Sequence, residues 1–360
     1  MLHPNARDVS EENCRNCGAP KLFSEQKVCA ECKKPYRKPL FHPKNAIESM
    51  KSNSFDALSA YCEVIDNSLE AGSANVRVKM EASENNKGIH MIAFGDDGSG
   101  MDADTLESCI SIGDSTRYGS QSEEGLGRFG VGMKFGALHE CDLLRIWSKT
   151  RDGEWMYTYL DCDEVRAGIM EDCPIPIVEE PPKHLSKLVG KEQGTLVVFE
   201  KYGAIPGSVT RMMDEIPFKL GRTYRYYIWN EGPNGEGIPG RKNPVTIYFN
   251  GEKVPALDPL YGKTEKTRFL DDPKALVYDG IPVEWPVYKH RIIERNPEID
   301  PNSIPEESTV RIRFSLLPEE WRRSIGSGSV AQNPLLAPRG ISKQSNGISI
   351  LRNYREVYYG

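Results

Sequence analysis

Several things are missing from this chain, and each absence narrows the reading. No apolar run approaches the roughly 20 residues that a membrane-crossing helix needs, so no membrane partner is expected. The opening residues, Met1-Leu2-His3-Pro4-Asn5, lack the basic-then-apolar pattern of a secretory signal. Positive charge is not in excess: the net charge of −6 gives no global case for nucleic acid binding, although a local patch could still bind. There is no internal repeat and no Gly-x-x-x-x-Gly-Lys-Ser/Thr phosphate loop. The histidines and tryptophans show no ligand spacing.

What is present is ordinary globular material. The 360 residues are 38% hydrophobic and 27% charged, and this length suggests two or three domains. The nine cysteines are an odd number, and four of them form tight pairs. Cys14-x-x-Cys17 and Cys29-x-x-Cys32 are two knuckles separated by eleven residues. Two such knuckles can complete a tetrahedral four-thiolate Zn2+ site, closed and therefore structural rather than catalytic. So short a segment has little core of its own, and metal binding would supply its folding energy. With no secretory signal, a reducing, cytoplasmic setting fits better than disulfides. Lys33, Lys34, Arg37 and Lys38 follow, with Tyr36 and Phe41 interleaved. This cluster reads either as a contact for nucleic acid phosphates or as a solvated linker. Cys62, Cys109, Cys141, Cys162 and Cys173 are scattered and read as packed residues.

Residues 54–71 have helical spacing. Leu58, Cys62, Ile65 and Leu69 form an apolar stripe, and Glu63, Asp66, Asn67 and Glu70 form a second, polar one. Gly72 ends the helix. Strands are expected at 74–80 and 89–94, the second running into Gly95-Asp96-Asp97-Gly98-Ser99-Gly100. Asp102 can cap a further helix. A polar, glycine-containing loop spans 113–127, and the glycine cluster after it opens a helix at 132–139. Strands follow at 143–149, 155–160 and 194–200, with a proline-rich surface connection at 174–187. Helices interleaved with mostly non-adjacent strands predict a mixed-sheet α+β layer. A second region begins near residue 203. It has a helix at 208–216 capped by Ser208 and stopped by Pro217, and a hairpin at 245–254 with a type I′ turn at Asn250-Gly251. It continues with a strand at 309–316, a short helix from Pro318 and a last strand pair at 348–351 and 356–359. A polypeptide continuing past Gly360 is the expectation.

Three clusters suit one nucleotide site. Hydrolysis of ATP needs a water-orienting carboxylate, a magnesium ligand, a purine contact and donors for the phosphates. Glu63 can orient water, and Asn67, one turn on, offers a neutral oxygen to Mg2+. Asp96 can accept from the adenine amino group, with Gly98 and Gly100 letting the backbone approach the purine. Gly127, Gly130 and Gly132 leave N–H groups free at a helix N-terminus, a ready anion site. The Gly-x-Gly-x-x-Gly run does not follow a strand within a βαβ unit, so a dinucleotide reading fails its context.

Together, Glu63-x-x-Asp66-Asn67, Asp96-x-Gly98-x-Gly100, Gly127-x-x-Gly130-x-Gly132 and Gly194-Thr195 resemble the four motifs of the GHKL ATPases. This superfamily comprises gyrase-type topoisomerases, ninety-kilodalton heat-shock chaperones, histidine kinases and MutL. Asp96 to Met101, and the run Gly127-Arg128-Phe129-Gly130-Val131-Gly132-Met133-Lys134, look most like MORC-type ATPases. The resemblance covers about residues 54–200. It implies a Bergerat ATP-binding α/β sandwich, a lid at about 113–127 and ATP-dependent homodimerisation. It also implies Glu63 as catalytic base, Asn67 as Mg2+ ligand, Asp96 with Thr195 at adenine, and Met101, Gly98 and Gly100 in the purine turn. Gly127, Arg128, Phe129, Gly130, Val131, Gly132 and Lys134 would surround the phosphates. The region after Val245 stands where relatives carry a transducer domain, which sends a lysine to the γ-phosphate. Lys343 is the candidate, the other reading being an exposed loop residue.

The organisation expected is thus a zinc ribbon and basic linker over 1–43, an ATPase domain over 44–202 and a transducer-like α/β domain over 203–360. The expected function is Mg2+-dependent ATP hydrolysis that gates a homodimer coupled to DNA, in the cytoplasm or, if DNA-bound, in the nucleoid or nucleus. A protein-remodelling chaperone and a slow nucleotide switch in a larger complex are the alternatives. A histidine-kinase relative ranks last, because no phosphoacceptor helix precedes residue 54.

Overall fold

The computed structural model of the protein describes residues 42–51, 57–84, 87–111, 132–203, 208–297, 299–321, 335–339 and 347–359, with residues 31, 33 and 341. Helices α1 (Pro43–Lys51) and α2 (Ala57–Glu70) precede strands β1 (Asn75–Ala82) and β2 (Ile89–Asp96). Then come α3 (Ala103–Ile110), α4 (Gly132–Glu140), β3 (Cys141–Lys149), β4 (Met156–Asp161), α5 (Cys162–Arg166), β5 (Ile177–Val178) and β6 (Gly194–Tyr202). The chain continues through α6 (Val209–Thr223), α7 (Arg225–Trp229), β7 (Thr246–Phe249) and β8 (Glu252–Lys253). The last part holds β9 (Leu276–Asp279), β10 (Val283–Pro286), α8 (Lys289–Arg295), β11 (Glu307–Val310), β12 (Arg313–Leu316), β13 (Ser349–Arg352) and β14 (Arg355–Tyr359).

Eight strands form one sheet in the order β5-β4-β3-β6-β2-β1-β7-β8. The pairing of β1 with β7 is parallel and the others are antiparallel, so the sheet is mixed as expected. Its neighbours are less scattered than expected. β5–β4, β4–β3, β2–β1 and β7–β8 are consecutive in the chain, which makes four of the seven junctions. Alternation along β2 explains its central place. Ile92 and Phe94 face a large core shared with α2 and α4, while Met91 and Ala93 face a smaller one with Trp147, Leu196 and Val198. The proline-rich connection does more than cross the surface: Leu185 is 2% exposed and closes this second core.

Several local expectations are met. Gly72 follows α2 with φ +77, and Asp102 caps α3 by accepting from the Thr105 N–H at 2.9 Å. Asn250 and Gly251 both have positive φ, as a type I′ turn requires. That hairpin does not start a separate sheet. β7 lies on β1, and the Asn250 side chain accepts from the Met80 N–H at 2.8 Å, so the sheet runs past the division placed at residue 203.

Two expectations are corrected. Pro217 does not stop α6; it sits inside a helix that continues to Thr223. Pro217 removes one backbone hydrogen bond, yet Ile216 and Leu220 on either side are buried in the main core and hold the helix together. The strand expected at 309–316 is two strands. β11 pairs with β10 and β12 with β9, and between them the Ile312 carbonyl accepts the Gly280 N–H at 2.8 Å. Periodicity marks extended chain but not a change of partner.

Candidate functional site

β2 delivers Asp96 to the end of the sheet, where it is 5% exposed. Its oxygens are held from three directions. Ser68 Oγ donates to Oδ2 at 2.8 Å, and the N–H groups of Gly98 and Thr195 donate to Oδ1 at 2.8 and 3.3 Å. Burial pushes the Asp96 carboxyl above its usual range, against the pull of these donors. A carboxylate offers about four lone-pair positions. Three donors leave capacity for one more, as an exocyclic amino group would need.

The turn after Asp96 is fixed by its neighbours. Thr195 Oγ1 lies 2.9 Å from Ser148 Oγ, which accepts the Met101 N–H at 2.8 Å. Asp97 accepts from the Ala74 and Asn75 N–H groups, both at 2.8 Å, and so pins the turn to β1. Packing inside the protein by itself calls for glycine at both positions of the turn. A Cβ on Gly98 would lie 2.7 Å from Ala71 Cβ, and one on Gly100, where φ is +70, would lie 2.0 Å from the Lys149 carbonyl oxygen.

Helix α2 presents Glu63, Asn67 and Glu70 as half-buried side chains. Burial pushes the Glu63 carboxyl up, opposed by Arg355 and reinforced by Glu70. A base raised toward neutrality is better matched to proton transfer than an ordinary carboxylate. Asp66 is not part of this open face, contrary to the two-stripe reading. It is 3% exposed, turned toward Tyr224 and Arg355. Burial pushes its carboxyl up to about 7 despite both partners.

The structure therefore links Asp96, Gly98, Met101 and Thr195 at the end of β2, and Ser68 ties this group to α2, the helix that also carries Glu63 and Asn67. Gly132 is the first residue of α4, as the glycine cluster suggested. Gly127, Arg128, Phe129, Gly130, Val131, the loop at 113–127, the Lys134 side chain, Lys343 and the four zinc-knuckle cysteines Cys14, Cys17, Cys29 and Cys32 lie outside the described residues. Among the described residues, no group of three or more His, Cys, Asp or Glu could hold a metal ion. Asn67 suits Mg2+ in a different way. A hard cation of this kind takes one or two protein oxygens and completes its shell with phosphate and water.

Ser68, Ser148 and Asp97 were not singled out from the sequence. Ser68 had one available signal: it follows the Glu-x-x-Asp-Asn run directly, on the helix edge nearest the sheet. Arg355 and Tyr224 had none, since their partner Asp66 is hundreds of ångströms of extended chain away.

Residues 54–195 match the family model described as histidine kinase-, DNA gyrase B-, and HSP90-like ATPase. The match covers less than half of the chain and falls where the four motifs had implied a GHKL-type domain. Similar curated proteins are MORC proteins. Protein MICRORCHIDIA 7 of Arabidopsis thaliana is 37% identical over 150 residues, covering 38% of this chain and 20% of that protein. ATPase MORC2 of Homo sapiens is 33% identical over 93 residues, covering 26% of this chain and 9% of that protein. The matched part is a fifth or less of either relative. Among solved structures, the ATPase and transducer domains of DNA topoisomerase II from Balamuthia mandrillaris align with a TM-score of 0.37 at 15% identity, over 55% of this chain and 48% of that one. Among the described residues, no helix is long and apolar enough to cross a membrane.

Proposed function

We propose that the protein is a Mg2+-dependent ATPase whose nucleotide cycle gates a homodimer coupled to DNA binding or remodelling. The observation that supports it most is the Asp96 cluster. A buried carboxylate is held by Ser68 from the helix that carries Glu63 and Asn67, and by the backbone of Thr195 from β6. Glu63 is assigned as the base that orients water, Asn67 as the protein ligand of Mg2+, and Asp96 with Thr195 as the adenine contact. Mg2+ bound there would neutralise phosphate charge. The phosphates fall to Gly127 through Gly132 with Lys134, and Lys343 is assigned to the γ-phosphate.

The proposed organisation is a Zn2+ module over 1–43, the ATPase domain over 44–202 and a transducer-like region over 203–360, whose first hairpin, β7–β8, extends the ATPase sheet. The four knuckle cysteines and the basic residues Lys33 to Lys38 motivate the DNA part, and the location that goes with the reading is the cytoplasm or, if DNA-bound, the nucleoid or nucleus. An ATPase assay on Glu63→Ala tests the core of the reading. Hydrolysis by the variant at the wild-type rate would show that Glu63 is not the base. Sizing with a non-hydrolysable ATP analogue should show a dimer, and a gel-shift series at two salt concentrations should show ATP-sensitive DNA binding.

A further inference from the structure

Asp66 is a buried acid one turn along α2 from Glu63, and the chemistry assigned above does not use it. Its two oxygens are gripped by residues distant in the chain. Tyr224, where α6 meets α7, donates to Oδ1 at 2.8 Å. Arg355, the first residue of β14, brings Nε to 2.8 Å from Oδ2, an ion pair by distance whose N–H lies off the hydrogen-bond line. The next residue runs the clasp in reverse. Glu356 accepts from Arg222 Nε and Nη2 at 2.8 and 3.1 Å, with Arg225 Nη1 at 3.5 Å. β14 thus supplies a cation to α2 and an anion to α6 and α7. The turn before it is held too. Asn353 and Tyr354 both have positive φ, which non-glycine residues rarely adopt, and the Asn353 carbonyl accepts Tyr227 Oη at 2.8 Å.

Packing alone does not call for this. An apolar pair of similar volume fills such a site at no loss of stability, whereas a buried ion pair tolerates one geometry and so sets the orientation of the elements it joins. Helix α2 is the element whose orientation matters most, because Glu63 and Asn67 share it with Ser68, the partner of Asp96.

We infer that Arg355 is a positioning residue for the ATP site: through Asp66 it ties the C-terminal hairpin to α2 and sets where Glu63 and Asn67 stand. The inference rests on the reading of α2 as the catalytic helix. Docking of the hairpin then weighs more on hydrolysis than on nucleotide binding, since Gly98 and Thr195 hold Asp96 from outside α2.

Steady-state ATPase kinetics on Arg355→Gln, Arg355→Lys and the double variant Asp66→Asn/Arg355→Gln test this. The expected result for Arg355→Gln is a loss of kcat on the order of tenfold, the scale of a small misplacement of reacting groups. KM for ATP stays within about twofold, because Asp96 keeps the Gly98 and Thr195 donors that stand outside α2. Arg355→Lys recovers most of the loss, and the double variant is no slower than Arg355→Gln, since residues acting through one another are not additive. The inference is overturned by wild-type kcat in Arg355→Gln, by KM rising in step with the loss of kcat, by no recovery in Arg355→Lys, or by losses that multiply in the double variant. If Arg355→Gln does not fold, the double variant, which leaves no buried charge unpaired, is read in its place. There a lower kcat with unchanged KM supports the inference, and wild-type kcat overturns it. Failure of the ATPase reading looks different: the wild-type chain itself then shows no Mg2+-dependent hydrolysis.

Discussion

Ser68 Oγ donates to Asp96 Oδ2 at 2.8 Å and joins helix α2 to the end of β2 across 28 positions of sequence. Both side chains are almost fully buried. One hydrogen bond therefore connects the helix that carries Glu63 and Asn67 to the acid assigned to adenine. Its removal should be felt on both sides.

Ser68→Ala leaves a buried carboxylate with two donors instead of three. A hydrogen bond to a charged group is worth about 1.5–3 kcal/mol, and the variant should lose stability on that scale in urea unfolding. Calorimetric titration should show weaker ATP binding as well. Wild-type values in both measurements would remove Ser68 from the site.

Gly100→Ala should be the more damaging of two left-handed glycine substitutions. At Gly72 φ is +77 and nothing lies within 4 Å of a new Cβ, so the cost is backbone strain of about 1 kcal/mol. At Gly100 φ is +70 and the Cβ would meet the Lys149 carbonyl oxygen at 2.0 Å. Backbone must move there, and a loss of about 3 kcal/mol or more is expected. The turn after Asp96 moves with it, so nucleotide binding falls too. Thermal unfolding of the two variants side by side reads the difference.

Acid should loosen the attachment of α1. Asp142 on β3 accepts from Lys51 Nζ at 2.7 Å and from Arg166 Nη2 at 2.8 Å. Burial raises its carboxyl, but these two partners outweigh it and hold the group below its usual range. A carboxyl depressed in the folded state contributes stability above its unfolded value, near 4, and loses it as pH falls through the folded one. The side chains are partly solvated, so the effect is about 1 kcal/mol or less. Asp142→Asn should flatten the acid limb of the stability curve below about pH 4 and leave the neutral region little changed. An unaltered acid limb would count against the ion-pair cluster.

Much of the site could be read locally. Glu63 and Asn67 stand four apart on one helix, so their shared face follows from the helical period. Asp96 before a glycine turn, Asp102 as a cap and Asn250-Gly251 as a turn are each set within a few residues. The burial of Asp66 could not be read this way. A helix period assigns residues to faces but does not say what stands against each face, and Tyr224 lies 158 positions further on. The same limit applies to Pro217. Its neighbours Ile216 and Leu220 carry the helix onward only because a core receives them.

From sequence alone came the order of the elements, the acid–amide helix, the Asp96 turn and the motif set that resembles the GHKL ATPases, where residues 54–195 match that family's model. Those features are local, encoded by periodicity, caps and short spacings. Tertiary structure alone decided that β7 lies parallel to β1, that a Cβ at position 98 or 100 would meet Ala71 or the Lys149 carbonyl, that Ser68 and Thr195 converge on Asp96, and that Arg355 reaches back to Asp66. Each of these joins segments separated by tens to hundreds of residues. Only burial in a common core, which excludes water and leaves polar groups no other partners, selects such pairings.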